Sequence, residues 1–286
     1  QYGYIDKTGR WVVEPTLEFV ADFVDGLAVV GRSTEAGTRY AYMNTLGETV
    51  LPFEYEQANP PDESILRVMR GGKWMLLQRD GTLLGDSSWK RVGPFSDGLA
   101  VFKAADNTWG WMNRSGAIVV TGLLADTVEN FHDGRAAVRA ENLELGKALR
   151  YGFVDKTGAF AVNNQYAFAY DFERGYGYVS TGNFDAGIID RNGKPKIPLD
   201  HDQIIEVGLF RYVGLTSRNE IAVYDVRDST SSIVMEGIDN GIPLEAISDR
   251  AIIGRESDQL LDARGYTIEL PLHRGVSLFD NAAEII

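Results

Sequence analysis

"YGYIDKTGRWVV", residues 2–13, is written again as "WGWMNRSGAIVV" at 109–120 and as "YGFVDKTGAFAV" at 151–162. Each copy opens on aromatic and β-branched residues, passes through a polar Asp/Asn-x-x-Gly, and closes on a second apolar run. That order predicts a strand, a turn and a second strand. Asp or Asn at the first turn position can accept hydrogen bonds from backbone N–H groups two residues on. Gly at the fourth can take the positive φ that closes a type I turn with a bulge. The pairs are Asp6 and Gly9, Asn113 and Gly116, Asp155 and Gly158, and Asp190 and Gly193.

The turn glycine recurs at Gly9, Gly47, Gly81, Gly116, Gly158, Gly193 and Gly265, with Asp228 in the one gap; the steps up to Gly193 are 34 to 42 residues. A period in that range marks a repeat architecture. A third element, F-x-D-G-x-A-x-V, runs over Phe23–Val30, Phe95–Phe102 and Phe131–Val138, with a weaker copy at Phe172–Val179. Its Asp-Gly predicts another turn, and the alternation after it predicts a third strand. Worn copies of both elements end the chain, at Asp258–Gly265 and Phe279–Ile286. Eight units of about three strands each result, near 1–31, 40–71, 73–104, 109–140, 151–182, 186–214, 220–254 and 258–286, forming one all-β domain over 1–286. The one short helix candidate is 141–150, ENLELGKALR, an insertion before the fifth unit.

The [YW]-G-[YFW]-[IVM]-[DN]-x-x-G hairpin followed by F-x-[DE]-G-x-A-x-V resembles the bacterial WG-repeat family, also called KWG repeats. The chain departs from the pattern at Ala41 and Met75, which replace Gly3, at Asp228, which replaces the turn glycine, and at Ile247, which replaces Phe23. The resemblance implies an all-β repeat protein with a binding role and no particular reaction. Each unit is too small to bury its own apolar face, so neighbours must cover it. A propeller-like closed ring is favoured over an open β-solenoid, because the first and last units are whole and the final Glu284-Ile285-Ile286 is expected to be paired.

Of 286 residues 44% are hydrophobic, enough for a large core. The net charge of −13 repels phosphate backbones, which argues against nucleic-acid binding, and it suits a basic partner. There is no cysteine, so disulfides and thiolate metal sites are excluded. No apolar run approaches the ~20 residues of a membrane span. The chain opens on Gln1 rather than Met, so a processed or trimmed chain is expected, with a periplasmic or extracellular location favoured over a cytoplasmic one.

A turn is needed in every unit and a catalytic carboxylate is not, so Asp6, Asp155, Asp190 and Asp262 read as turn residues; Asn44 and Asn113 fill the same place with an amide. His132, His201 and His273 are scattered without metal-ligand spacing and are expected at the surface. No nucleophile elbow, phosphate loop or calcium loop occurs. No catalytic residue, metal or cofactor is therefore expected, and the chain does not read as an enzyme. Aromatics outside the repeat, Tyr55, Trp89, Tyr166, Phe168 and Tyr170, fall between the second and third strands of their units and are the candidate binding residues, the alternative being that they fill gaps in the core. The reading is a non-catalytic protein-binding module that neutralises or scaffolds a basic protein such as a toxin, an immunity-type role. The alternatives are a carbohydrate- or cell-wall-binding or carbohydrate-active protein, and a purely structural segment.

Overall fold

The structure, a computed structural model, describes residues 1–269 apart from 63, 183–184, 219, 237–243, 249–250, 255–258 and 263–266. Gly265, His273 and the Phe279–Ile286 copy lie outside the described residues, as does most of the eighth unit. Every described element is a strand.

Strands β1 (Tyr2–Ile5) and β2 (Trp11–Leu17) form the first hairpin. Four-stranded antiparallel sheets follow in chain order. The first holds β3 (Phe19–Val20), β4 (Leu27–Thr34), β5 (Gly37–Asn44) and β6 (Thr49–Tyr55). The second holds β7 (Gln57–Ala58), β8 (Leu66–Arg70), β9 (Lys73–Leu77) and β10 (Leu83–Trp89). The third holds β11 (Arg91–Ser96), β12 (Leu99–Lys103), β13 (Trp109–Asn113) and β14 (Ile118–Leu123). The fourth holds β15 (Thr127–His132), β16 (Arg135–Asn142), β17 (Ala148–Val154) and β18 (Phe160–Tyr166). A seven-stranded sheet comes next: β19 (Phe168–Ala169), β20 (Tyr176–Ser180), β21 (Ala186–Asp190), β22 (Pro195–Gly208), β23 (Arg211–Thr216), β24 (Glu220–Asp225) and β25 (Thr230–Glu236). A last four-stranded sheet holds β26 (Leu244–Ser248), β27 (Ala251–Gly254), β28 (Gln259–Asp262) and β29 (Thr267–Glu269).

The expected three strands per unit are thus corrected to four strands per regular sheet. The extra strand lies in the segment read as a connection. Strand β2 ends at Leu17, one residue bends, and β3 begins at Phe19 in the next sheet; β6 to β7 and β10 to β11 repeat the step. Asp25-Gly26, Asp97-Gly98 and Asp133-Gly134 then form two-residue turns with both residues at positive φ, 49° and 75° in the first. That is the geometry of a tight type I′ hairpin. Each regular sheet therefore takes two strands from the end of one sequence repeat and two from the start of the next. The helix candidate at 141–150 is corrected as well. Asn142 ends β16 and Ala148 begins β17, and the turn between them is held by Leu145 N–H on Asn142 Oδ1 at 3.0 Å and Lys147 N–H on Asn142 O at 2.8 Å.

The chain divides into two compact units, residues 1–140 with 154–159, and residues 141–153 with 160–286. In the first, successive sheets pack face to face. Val30, Ala41 and Met43 pack with Leu17 of the preceding hairpin, while Leu27, Val29 and Tyr42 pack with Leu66, Val68 and Met75 of the following sheet. Trp111 and Phe131 continue the pattern, with ring centroids 5.0 Å apart. A sheet covered on both faces needs apolar residues at consecutive positions, which is why its strands read "LAVV" and "YAYM" rather than alternating. Full burial of each Leu, Val or Met among them contributes about 1.5–3 kcal/mol. The glycine of the Tyr/Trp-Gly pair answers to the same crowding: a Cβ on Gly110 would run into the Val120 carbonyl across the hairpin, where the register shifts.

The turn glycine has two jobs. Gly158 has a φ of 84°, and a Cβ on it would lie 2.7 Å from Val120 Cγ1 in the outer strand of the preceding sheet. Gly9 has a φ of 85° but nothing within 4 Å. Polar contacts also join neighbouring sheets: Arg79 donates to Asp25 O at 2.6 Å, Lys156 to Asp97 O at 2.6 Å, and Gly134 N–H to Asp97 Oδ2 at 2.6 Å. Gly9→Ala is expected to cost about 1 kcal/mol from backbone strain, and Gly158→Ala roughly 1–3 kcal/mol more from overpacking. Urea unfolding of the two variants measures the difference, and equal losses would refute the packing role.

Candidate functional site

The seven-stranded sheet of the second unit is where the repeat departs from its rule. Elsewhere the outer strand of a hairpin breaks at a corner and re-enters the next sheet. Strand β22 instead runs through 14 residues and belongs to both hairpins.

Leu17, Tyr55 and Trp89 end strands β2, β6 and β10, each opposite the first paired residue of its hairpin, Tyr2, Tyr40 and Trp74. Tyr166 ends β18 in the same way. All four corner side chains are buried. Burial raises the phenol pKa of Tyr55 and of Tyr166, whose oxygen also accepts from Gln165 Nε2 at 3.2 Å. Trp89 stacks on Phe102 with centroids 4.2 Å apart. Three of the five candidate aromatics therefore sit inside, at corners.

His201 takes the corner place in β22, opposite Ala186. The expectation of a surface histidine is corrected here, because the ring has no exposed area. Gly214 makes the room: a Cβ there would collide with the imidazole. His201 Nδ1 lies 3.0 Å from Pro198 O and 2.9 Å from Asp200 Oδ1, and Nε2 lies 2.7 Å from the Tyr224 hydroxyl. A neutral ring that donates from Nδ1 to Pro198 O and accepts at Nε2 from Tyr224 O–H satisfies both nitrogens. Burial lowers the His201 pKa, against the opposing pull of the Pro198 carbonyl and the Asp200 and Asp202 carboxylates. Burial also pushes Tyr224 up to about 12.

The other two candidates, Phe168 and Tyr170, flank Ala169 at the edge of this sheet and are 61% and 68% exposed. Tyr170 lies over Tyr178, centroids 5.3 Å apart. In the register of the preceding sheets, the place of Phe168 is held by Phe19, Gln57, Arg91 and Thr127, and that of Tyr170 by Ala21, Asn59, Gly93 and Glu129. Tyr178 stands where Val29, Arg67, Val101 and Ala137 stand elsewhere. Further along the sheet, Tyr176 meets Phe210 edge-on at 6.0 Å, and Tyr212 is pushed up to about 12, first by burial and then by Glu206. Sequence reasoning missed Tyr178, Phe210 and Tyr212. The signal available was an aromatic at a position that the preceding repeats give to a non-aromatic residue.

The turn residues sit at exposed hairpin ends. Asp6 Oδ1 accepts from Thr8 N–H at 2.7 Å, Thr8 Oγ1 at 2.6 Å and Arg10 N–H at 3.0 Å. Asp155 repeats this with Thr157 and Ala159, Asn113 with Ser115 and Ala117, and Asp190 with Asn192 and Lys194. Hydrogen bonds from the Thr hydroxyls hold the Asp6 and Asp155 carboxyls below the usual carboxylate range. Gly9, Gly116, Gly158 and Gly193 close these turns at positive φ. Among the described residues no group of three or more His, Cys, Asp or Glu could hold a metal ion, and no helix is long and apolar enough to cross a membrane.

These features define an all-β repeat protein of antiparallel, mostly four-stranded sheets. The family model of the WG-containing repeat matches residues 2–31, 40–74, 109–143 and 151–183, so the chain carries WG repeats over those residues. No curated protein matches it in sequence. Among solved structures it is similar to one titled crystal structure of the eukaryotic initiation factor, at 10% identity and a TM-score of 0.51, over 90% of this chain and 78% of that one. Weaker likenesses are the C-terminal WD40 domain of Sif2, at 13% identity and a TM-score of 0.35 over 84% and 76% of the two chains, and BamB from Moraxella catarrhalis, at 14% and 0.36 over 87% and 83%. At these identities the first likeness bears on the fold alone.

Because the folded state disfavours His201 protonation, the unfolded state binds more protons just below the ordinary histidine value of 6.5. Stability is expected to fall as pH drops from 7.5 to 5.5 and to level off below the folded pKa. His201→Leu, which places at this corner the residue found at Leu17, is expected to flatten that dependence; denaturation midpoints at three pH values decide it. For the turn, Asp155→Asn is expected to stay near the parent at neutral pH, with Asp155→Ala lower. The lowered Asp155 pKa contributes stability above the ordinary aspartate value of 3.8 that is lost as pH falls through the folded value, so Asp155→Asn is expected to lose less in acid. Thermal melts at pH 7 and pH 3 test both.

Proposed function

We propose that this chain is a non-catalytic protein-binding module whose partner is basic. The observation that carries the reading is the pair of exposed rings, Phe168 and Tyr170, held on a paired strand at a place where other repeats carry no such pair. Exposed rings on an ordered scaffold are low-entropy contact residues and are frequent anchors in protein interfaces. Charge supports the sign of the partner. By sequence the second unit holds 22 acidic and 13 basic residues, −9 of the total −13. A recess of about 490 Å³ in the first unit suits a ligand less well: Arg79 in its wall is engaged by Asp25 O, and Arg114 lies 5.0 Å over Phe95. Neutralising or scaffolding a basic protein, such as a toxin, is the form of this role that the charge favours. The tilted Tyr170–Tyr178 pair also supports a second reading, a platform for a sugar ring.

Affinity capture from the native lysate and secreted fraction, with mass spectrometry of the retained proteins, tests the reading. One dominant basic partner at near-equal stoichiometry is expected, and retention of no protein would overturn it.

A further inference from the structure

We infer that the free edge of β1 is a strand-acceptor site, and that it takes from a partner protein an extended segment of the kind that lies beside β5, β13 and β21 within this chain. The inference rests on the protein-binding reading, which supplies the partner, and adds a second contact place with its own chemistry.

Strands β5, β9, β13, β17 and β21 each pair on both sides, with the outer strand of their hairpin and with a strand before it; among the described residues β1 pairs with β2 alone. The side chains show the same difference. Ile5 is 59% exposed, whereas Met43, Leu77, Met112, Val154 and Ile189 at its place are all buried. The hairpin is nevertheless anchored. Leu17 is buried against Val30, Ala41 and Met43, the Tyr4 hydroxyl donates to Ala21 O at 2.7 Å, and the Tyr4 ring lies 4.7 Å from that of Phe23. A fixed strand with an open row of backbone N–H and C=O groups is a template for another strand.

The other sheets set what that strand must carry. At the place of Gly3, Ala41, Gly110 and Gly187 face the large apolar residues Val30, Phe102 and Val179. At the place of Tyr4, Tyr42, Trp111 and Ile188 face Val29, Val101 and Tyr178. At the place of Ile5, Met43, Met112 and Ile189 face Ala28, Ala100 and Gly177. The second sheet keeps the large residue, with Val68 opposite Met75, and puts Leu66 opposite Leu77. The occupant of β1 is therefore an antiparallel segment with an uncharged, mostly small residue opposite Ile5 and a large apolar residue two places later, opposite Gly3. The described strands of this kind, β4, β12, β16 and β20, are already paired in their own sheets. The worn copy at Phe279–Ile286 lies outside the described residues, and by sequence its Glu284 stands at the place of Ala28. A partner segment without a charge at that place is the better match to Ile5.

The test uses the full chain and a peptide with the sequence of Leu27–Val30 between lysine pairs. Two comparison peptides with the same ends replace its Ala by Glu or its first Val by Pro. Amide exchange followed by NMR reports the β1 amides that do not bond to β2, and calorimetry reports affinity. Ile5→Lys is the site variant, Leu124→Lys at another exposed position is the control, and circular dichroism confirms that each is folded. The parent peptide is expected to protect the outward amides of β1, and the Pro peptide is expected not to. Ile5→Lys and the Glu peptide are each expected to weaken binding roughly two- to fivefold, and their combination to restore it, because the two charges then face each other across the strands. Binding that Ile5→Lys leaves unchanged, or no binding of any peptide, would overturn the inference, and the capture experiment would still decide the module. Outward amides already protected without peptide would overturn it as well: protection independent of concentration means that the chain fills its own edge, and protection that grows with concentration means that a second copy does.

Discussion

The structure depends on one constraint: a single strand must serve two sheets. Trp11–Leu17 completes the first hairpin, and the chain re-emerges one residue later as the first strand of the next sheet. The corner residue is pinned from both sides, so it must be buried and bulky. Leu17, Tyr55, Trp89 and Tyr166 are all both. Because the crossing is so short, neighbouring sheets of the first unit lie face to face, the turn glycine of one meets the outer strand of the one before, and basic side chains at the turns reach back to the preceding Asp-Gly carbonyls. Hydrophobic burial drives this stacking, and the turn chemistry fixes its register.

A scaffold made by repetition is informative where it stops repeating. At the corner place in β22 a buried histidine stands instead of a large apolar residue, Ala186 replaces the aromatic opposite it, and Gly214 opens space for the imidazole. The strand then passes through unbroken and two hairpins merge into seven strands. The edge of that merged sheet carries Phe168 and Tyr170, with Tyr178 on the adjacent strand. The structural exception and the exposed aromatic edge thus share one sheet. A local relaxation of the packing rule accompanies side chains that the rule does not require.

The fold class, the repeat and the turn chemistry were legible in the sequence because they are local. Asp6-Lys7-Thr8-Gly9 closes on itself through hydrogen bonds within four residues, and its neighbours in space do not alter that. The fourth strand was not legible. Two paired residues such as Phe19 and Val20 are too short to show a period, and their partners sit in the following repeat. The aromatics between the second and third strands looked alike in the sequence and proved to be of two kinds. Tyr55, Trp89 and Tyr166 turn inward at corners, whereas Phe168 and Tyr170, a few residues beyond one of those corners, point outward.

By itself, then, the sequence determined an all-β repeat chain, its hairpins, its turn residues and its acidic charge. The tertiary structure decided which strands share a sheet, which aromatics are buried, and that His201 is enclosed. The physical reason is range. Turns and strand propensity are settled within a few residues, but burial depends on what a neighbouring repeat, some 35 residues away in the chain, lays against each side chain. That neighbour is set by the passage of one strand from sheet to sheet, for which no single repeat carries a signal.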